Sequence, residues 1–276
     1  MAAGHFVWDR RIARRATDVG ARPTAVDDDR FEAYVAAELA GLPGVQAVAL
    51  GGSRARGEHR PDSDWDFALY YRGHFEPDTL RAKGFLGTVF DIGAWGGGVM
   101  NGGAWLTIED RRVDVHYRDL DDVELRLAEA GAGRFHKEYL LFHVAGIPSY
   151  VVVAELALNR VLHGSLPVPA YPAALAREAA RRWHDDAVLS LDYARSVFRG
   201  HEDTTLSMAN TLCALTEEAH SRMAAAGRWV LNEKGLVARA GLEGEATLLL
   251  RATTPEALAE AMDEISVRVG GSPRQG

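Results

Sequence analysis

Hydrophobic and polar positions divide the chain into two parts with different periodicities. Up to about residue 125, short runs with apolar and polar residues in alternation lie between Gly-rich turns, as expected for β-strands. Residues 45–50 and 65–71 are two such runs, and 105–109 and 112–117 form a predicted hairpin across Asp110 and Arg111. Beyond that point, Ala-, Leu-, Glu- and Arg-rich stretches repeat at helical spacing. The pattern predicts a mixed α/β part followed by a helical part.

Capping residues set the predicted helix boundaries. Asp27, Asp28 and Asp29 predict a helix start, and Gly41 and Pro43 end that helix after Ala40. The later predicted helices run from Ser149 to about Gly164, from Pro172 to Gly200, from Asp203 or Thr204 to about Gly227, and through two or three shorter segments to about Val269.

These elements predict an α/β (α+β) fold with three segments. Residues 1–26 are expected to form an N-terminal tail, residues 27–125 a small mixed-sheet domain, and residues 126–270 an all-α helical bundle domain. Ligand sites favour clefts between domains, so the active site is expected between the last two segments.

Composition narrows the functional classes. The chain of 276 residues has a formal net charge of -8, which disfavours general binding to the nucleic-acid backbone. Its single cysteine, Cys213, excludes an intramolecular disulfide and is typical of a reducing cytoplasm. The sequence has no apolar run long enough for a membrane span and no apolar core of a signal peptide. We therefore expect a cytoplasmic protein without a membrane partner.

Two carboxylates lie two positions apart on the second predicted strand. Residues i and i+2 of a strand face the same side, about 6.5 Å apart, so Asp64 and Asp66 project together while Trp65 and Phe67 face the core. Paired carboxylates repel each other unless a cation lies between them, and Mg²⁺ is the natural hard cation for oxygen ligands. The pair predicts a metal site.

A Gly-rich turn precedes this pair. Gly51 and Gly52 permit close approach of the backbone to a ligand, and amides near Ser53 would form an anion-binding nest if Arg54 begins a helical turn. Arg54 or Arg56 would add positive charge against a phosphate. A phosphate cradle before a carboxylate pair fits a metal–triphosphate complex.

A third carboxylate is expected on a neighbouring strand. Asp114 lies between Val113 and Val115, so it faces away from the core if the valines face it. Glu109 and Asp110 are rivals, but they fall at the predicted turn. His116 shares the face of Asp114 and is a candidate partner of that carboxylate.

Three other motif interpretations are weaker. Gly52 and Gly57 have Walker A spacing, but Glu58 and His59 replace its Lys-Ser/Thr. The aspartates from Asp62 onwards begin like an EF-hand but lack its Gly and Glu at the required positions. A hydrolase nucleophile elbow at Ser53 would leave the aspartate pair unexplained.

Gly52-Ser53, followed after ten residues by Asp64-Trp65-Asp66-Phe67, resembles the motif of the DNA polymerase β-type nucleotidyltransferase superfamily. Asp114 is similar to the third carboxylate of that superfamily. The trailing helical domain resembles the bacterial antibiotic (aminoglycoside) nucleotidyltransferases. The specific resemblance covers about residues 45 to 120.

This resemblance implies an enzyme that transfers a nucleotide from a triphosphate, ATP by analogy, with two Mg²⁺ ions held by Asp64, Asp66 and Asp114. The implied nucleotide-binding residues are Gly52, Ser53, Arg54, Arg56 and Lys234. The expected acceptor is a small molecule, and the acidic composition suits a cationic one such as an aminoglycoside, consistent with a role in antibiotic resistance. Alternatives are AMP transfer to a protein, nucleotide addition to an RNA end, and a non-catalytic nucleotide-binding regulator.

Several weaker candidates complete the predicted site. Lys234 either reaches the triphosphate from the helical domain or belongs to a simple helix cap beginning at Asn232. Trp95 and Asn101 lie in a Gly-rich loop and are candidates for contacts with a nucleobase or acceptor. Four acidic residues are candidates for lining the cationic acceptor's site: Glu138, Asp185, Asp186 and Glu217.

Overall fold

The computed structural model describes residues 25–270. The expected tail 1–26 lies outside these residues, apart from its last two positions, which belong to the first helix. The elements up to residue 163 are α1 (Ala25–Ala40), β1 (Val45–Leu50), α2 (Gly52–Ala55), β2 (Trp65–Tyr71), α3 (Pro77–Arg81), β3 (Leu86–Val89), β4 (Gly103–Ile108), β5 (Arg111–Asp119), α4 (Leu120–Gly131), β6 (Lys137–Glu138), β7 (Ile147–Pro148), α5 (Val151–Leu158) and β8 (Arg160–His163).

The remainder of the described chain is helical. It consists of α6 (Ala173–His201), α7 (Thr204–Ala225), α8 (Leu236–Arg239), α9 (Glu243–Arg251) and α10 (Pro255–Gly270). Asp203 caps α7, because its side chain accepts a hydrogen bond from the amide of Leu206 (2.9 Å). A part built on a mixed sheet is followed by a helical part, and this order confirms the predicted fold class.

Six strands form one mixed sheet in the order β3-β4-β5-β2-β1-β8. β2 and β5 run parallel, and the other neighbouring strands in this sheet pair antiparallel. The parallel pair lies at the centre of the sheet, where one face of the two strands is fully buried and the other is partly buried.

The two faces of this sheet differ. Trp65, Phe67, Val113 and Val115 are buried in an apolar core on the face covered by α1. The opposite face carries the intervening residues of β2 and β5, and a second apolar cluster places α5 on that side through Val151, Val152 and Leu156. Strand alternation therefore separates an apolar face from a face that includes polar side chains.

In the helical part, α6 packs along α7. Their contact buries small and branched residues such as Ala187, Leu191, Ala214 and Leu215, and α10 closes the same core. Small residues at the contact let two long helices approach closely along their length. None of the helices among residues 25–270 is sufficiently long and apolar to span a lipid bilayer.

The predicted bounds of β1 and β2 agree with the structure, and the predicted hairpin is β4–β5. The helix predicted to extend to about Gly164 is wrong in its second half. α5 ends at Leu158, Asn159 turns to an extended conformation, and β8 pairs with the edge of β1. The sheet thus includes residues beyond the expected domain boundary at 125, because β1 offers unpaired backbone groups to the returning chain.

Candidate active site

Asp66 and Asp114 lie side by side at the centre of the sheet. They are register partners on the parallel strands β2 and β5, and their apolar neighbours Trp65, Val113 and Val115 face the opposite core. Neighbouring strands are about 4.8 Å apart, so the two carboxylates share one small space. The strand phase inferred from the valines is therefore the phase observed.

Both carboxyl groups hold protons more tightly than usual. Burial, and then the negative charge of Asp64, raises the pKa of Asp66 to about 6. Burial, and then the charges of Asp66 and Asp64, raises the pKa of Asp114 to about 6. Two half-buried carboxylates that repel each other form a site with a deficit of positive charge.

Asp64 lies just before β2, and its carboxylate contacts Arg112 (Oδ1 to Nε, 2.5 Å). Among residues 25–270, no three His, Cys, Asp or Glu side chains are grouped so that they could hold a metal ion. The chemistry of Asp66 and Asp114 nevertheless fits a divalent cation, since a cation between them would remove their repulsion. For Asp64 to join them, its carboxylate would exchange Arg112 for the ion.

The Gly-rich turn contacts the same carboxylate. Gly51 donates its amide to the carbonyl of Asp66 (2.7 Å), and Gly52 begins the short helix α2 with a φ of 62°. A Cβ atom at Gly52 would overlap the Oδ2 atom of Asp66. Only glycine permits both this backbone conformation and this contact, so the turn and the carboxylate form one unit. Ser53 follows directly within α2.

The two arginines of this segment have different positions. The Arg54 guanidinium hydrogen-bonds to the carbonyl of Ser63 (3.0 Å), pairs with Asp28 (3.2 Å) and stacks on Trp65 (4.0 Å). It therefore fastens α2 to α1 and is not brought to the carboxylates, contrary to the expected phosphate contact. Arg56 pairs with Glu58 (2.8 Å), and its charge lowers the pKa of Asp66.

Lys234 is brought to the carboxylates from the helical part. Its positive charge lowers the pKa of both Asp66 and Asp114, opposing the larger effect of burial. The cap expected from the sequence is also present, because the Asn232 side chain accepts a hydrogen bond from the Lys234 amide (3.0 Å). The two interpretations of this segment are thus compatible.

Glu233 fixes the Lys234 segment to the β6–β7 hairpin. Its carboxylate accepts hydrogen bonds from the amides of Val144 (2.5 Å) and Ala145 (2.9 Å), and it faces the buried His220 (3.7 Å). Burial opposes ionisation of Glu233, but His220 and the two amides outweigh it and lower the pKa of this carboxyl group. The sequence offered no local signal for this clamp, since its partners lie far apart in the chain.

A buried ion pair lies behind the carboxylates on the same face of the sheet. Arg118 donates two hydrogen bonds to Glu155 of α5 (both 2.6 Å). His116 lies between this pair and Asp114 along β5, and burial, then the charge of Arg118, lowers its pKa to about 4. His116 is therefore neutral at physiological pH and packs on this face of β5 as an uncharged group.

The Gly-rich loop contributes an aromatic group. Trp95 packs against Phe90 (5.6 Å), Trp105 (5.7 Å) and His116 (5.6 Å between ring centroids). Asn101 instead contacts the hydroxyl of Tyr71 (3.4 Å). Trp105, which sequence reasoning did not select, is the cross-strand partner of Asp114.

The remaining acidic candidates are dispersed. Glu109 and Asp110 are exposed at the β4–β5 turn, with φ values of 47° and 60°. Asp185 pairs with Arg181 on the surface of α6. The Glu138 carboxylate accepts a hydrogen bond from the Val99 amide (3.1 Å). Two other carboxylates meet at one cation: Asp186 and Glu217 lie 2.6 and 3.5 Å from Lys137 Nζ.

Residues 34–92 match the family model described as a nucleotidyltransferase domain. The matched segment contains the Gly51–Gly52 turn, Asp64 and Asp66, and it ends before Asp114. The expected enzyme class, a nucleotidyltransferase, is confirmed by this match, and the chain transfers nucleotides.

Comparison with solved structures finds a CdnE cyclic dinucleotide synthase of Elizabethkingia meningoseptica, whose structure contains GTP and Apcpp. The identity is 10%, with 88% of this chain and 91% of that chain covered, and the TM-score is 0.25. A likeness this distant supports no conclusion about fold or function. No curated protein matches the chain.

Proposed function

We propose that this nucleotidyltransferase transfers AMP from ATP to a hydroxyl group of a small cationic acceptor, such as an aminoglycoside, and releases pyrophosphate. The observation that carries the proposal is the register pairing of Asp66 with Asp114, with the Gly51–Gly52 turn on one side and Lys234 near enough for its charge to act on both carboxylates. A metal–triphosphate complex needs these same groups in one place.

In the reaction, the acceptor oxygen forms a bond to the α-phosphorus of ATP. The bond from that phosphorus to the bridging oxygen breaks in line, and pyrophosphate leaves with the electron pair. Asp114 accepts the proton of the acceptor hydroxyl at its carboxylate and so acts as the general base. The amides near Gly52 and Ser53, with the side chains of Arg56 and Lys234, hold the phosphates.

Asp64, Asp66 and Asp114 would hold two Mg²⁺ ions, whose chemistry is to lower the pKa of the acceptor hydroxyl and to neutralise the triphosphate. The metal-binding set would include Asp64 once its carboxylate exchanges Arg112 for the ion, and its negative charge already raises the pKa of both other carboxyl groups. Arg112 then serves as the alternative partner of Asp64 when its carboxylate is not engaged.

The charge of the protein indicates the class of acceptor. The chain has a net charge of -8, and Asp66 and Asp114 lie side by side at the proposed reaction centre, so a positively charged acceptor is attracted to it. A polyanionic acceptor such as an RNA end is disfavoured by the same charges.

The test is pyrophosphate release with each of the four nucleoside triphosphates and Mg²⁺, across a panel of aminoglycosides and lincosamides. We expect release that needs both ATP and an aminoglycoside, with the product heavier by one AMP in intact-mass measurement. The Asp66→Asn variant, purified in parallel, controls for contaminating enzymes. AMP found on a protein or on RNA, with no small-molecule product, would replace the proposed acceptor class.

A separate measurement tests the metal–nucleotide complex without turnover. Mg²⁺ and ATP together should raise the melting temperature more than the sum of their separate effects, because the triphosphate completes the coordination of the metal. Independent shifts that simply add would indicate a metal site unconnected with the nucleotide.

A further inference from the structure

One row of residues crosses the polar face of the sheet. Trp105 of β4 is the register partner of Asp114, and Asp114 is the register partner of Asp66. The backbone carbonyl of Asp66 in turn accepts a hydrogen bond from the amide of Gly51. Trp105 shares this face, because its neighbours Ala104 and Leu106 are buried in the core on the other side. The row thus runs from the glycine turn, through two carboxylates, to an indole ring.

Trp105 belongs to an aromatic wall formed by Phe90, Trp95 and Trp105. The ring centroids of Phe90 and Trp105 are 4.8 Å apart in an edge-to-face contact, and Trp95 stacks on Trp105 at 5.7 Å. A Cβ atom at Gly103 would overlap the ring of Trp95, so the glycine lets this ring lie on the strand. Packed aromatic rings of this kind form a rigid surface.

The outer part of the wall is partly exposed to solvent. Trp105 is 39% exposed, and Thr88, its partner on the edge strand β3, is also exposed. An exposed aromatic side chain of this size beside half-buried carboxylates indicates a ligand-binding surface on the β3–β4 side of Asp114.

The ends of the row distinguish the two substrates. In-line transfer places the attacking oxygen and the leaving pyrophosphate on opposite sides of the α-phosphorus. If the phosphates lie at the glycine turn, the acceptor must lie at the other end, beside Asp114 and Trp105. This inference rests on the proposed function and concerns the part of the site that binds and selects the acceptor.

The charges favour a cation on this surface. An ammonium group is attracted both to the face of an indole ring and to nearby carboxylates. Asp114 and Asp66 supply that negative charge in the same row. Of the basic residues near this row, Arg112, two residues before Asp114, is paired with Asp64 (2.5 Å), and Lys234 only partly offsets the charge of the two carboxylates.

We propose that the aromatic wall is the acceptor platform, and that it takes an amine-bearing saturated ring such as an amino sugar. The ring lies on Trp105 with its ammonium group toward the indole face and the carboxylates, and a ring hydroxyl points to Asp114. Trp105 is then a specificity-determining residue for the nucleotidyl transfer.

The experiment is calorimetric titration of the full chain with kanamycin and with fully N-acetylated kanamycin, which keeps the rings but removes the charge. We expect Trp105→Ala to weaken kanamycin binding about tenfold, within the range of a partly desolvated cation–π contact. Trp105→Tyr should keep most of the affinity, and the N-acetylated compound should bind at least about tenfold more weakly than kanamycin. Melting curves confirm that each variant is folded.

The matched control is Tyr34→Ala. Tyr34 is 40% exposed, almost the same as Trp105, but it lies on α1 at the opposite face of the sheet. This variant should bind kanamycin as the wild type does. In the turnover assay, Trp105→Ala should raise the KM for the acceptor and leave the KM for ATP unchanged.

Equal kanamycin affinity in Trp105→Ala and wild type would overturn the platform, as would adenosine binding that depends on Trp105 while kanamycin binding does not. The two proposals fail separately. Trp105-dependent binding of kanamycin without any pyrophosphate release would remove the proposed reaction and leave the platform. Aminoglycoside-dependent pyrophosphate release that is unchanged in Trp105→Ala would remove the platform and leave the proposed reaction.

Discussion

The two faces of β2 and β5 carry residues from the same short segments, yet they have opposite properties. One face buries Trp65, Phe67 and Val115 in an apolar core. The other holds Asp66 and Asp114, whose pKa values rise to about 6 because they are buried near each other. The first face stabilises the fold, whereas the second retains electrostatic repulsion at the proposed active site. Neighbouring residues should therefore respond to substitution in opposite ways, and the following predictions test that contrast.

The largest effect is expected for Asp66→Asn. The substitution removes a charge from the centre of the carboxylate row and should abolish turnover, measured as pyrophosphate release at saturating ATP and acceptor. Near-normal activity would contradict the assignment of Asp66. Since the change also relieves repulsion, the metal-free variant should be at least as stable as wild type at pH 7.5. Asp64→Asn should abolish turnover too, but without that gain, because it loses the contact with Arg112.

Asp114→Asn should reduce the chemical step by at least about a hundredfold, the lower end for loss of a general base. ATP affinity should change little, because we propose that the phosphates bind at the glycine turn. The matched controls are Glu109→Gln and Asp110→Asn at the exposed β4–β5 turn, each expected to cost less than about tenfold. Single-turnover kinetics separates the chemical step from binding, and a larger loss in either control would reverse the assignment.

Val115→Ala, one residue further along β5, should show the opposite pattern. Val115 is fully buried, and removing its two methyl groups should lower the free energy of unfolding by about 2 kcal/mol, including the cavity left behind. That loss is about thirtyfold in the folding equilibrium. Urea unfolding measures it, and kcat per folded molecule should stay close to wild type. A large fall in kcat would show that the apolar face also sets the geometry of the site.

Lys234→Met should raise the KM for ATP about tenfold, because it removes one charge-assisted phosphate contact worth roughly 1.4 kcal/mol. The KM for the acceptor should stay the same. Lys83→Met is the matched control, since Lys83 pairs with Glu38 of α1 (2.9 Å), which covers the other face of the sheet. Equal effects of the two substitutions on the KM for ATP would remove Lys234 from the phosphate site.

The smallest effect is on the pH dependence of stability in EDTA. Asp66 and Asp114 have folded pKa values of about 6 against 3.8 in the unfolded chain, so the folded state binds more protons between these values. Their contribution to the free energy of unfolding falls as the pH rises from about 4 to 6. Burial of His116, with a pKa of about 4, acts in the opposite direction over a similar range.

The difference between wild type and Asp66→Asn isolates the carboxylate. Relative to the variant, wild type should lose on the order of 1 kcal/mol between pH 4 and pH 7, after allowance for partial solvent screening. Urea midpoints at closely spaced pH values measure this. A difference that does not vary with pH would mean that the two carboxyl groups do not repel each other in the folded protein.

Local patterns were sufficient to predict part of this site. The alternation of apolar residues gave the bounds of β1 and β2, and the valines flanking Asp114 gave its face, because both depend only on strand periodicity. The direction of the Arg54 side chain depends on Trp65, Asp28 and Ser63, so its position could not be read from the turn alone. The clamp from Glu233 to the β6–β7 hairpin joins residues almost ninety positions apart and has no local pattern.

β8 shows the same limit at the level of the fold. Its four residues follow α5 with only Asn159 between them, and nothing in so short a run distinguishes a strand from the end of a helix. Residues 160–163 form a strand because they pair with β1, and that pairing exists only in the folded sheet.

The return of β8 to the sheet also bears on protein synthesis and on fragment design. A ribosome exposes β1 long before residues 160–163 emerge, so the apolar edge formed by Val48, Ala49 and Leu50 waits for its partner strand while α4 and α5 are made. A gene truncated at residue 125 would leave that edge permanently open to other chains, and the fragment should aggregate. Expression of residues 25–165 would keep the covering strand and give the better starting point for a folded sheet domain, although that fragment would lack Lys234.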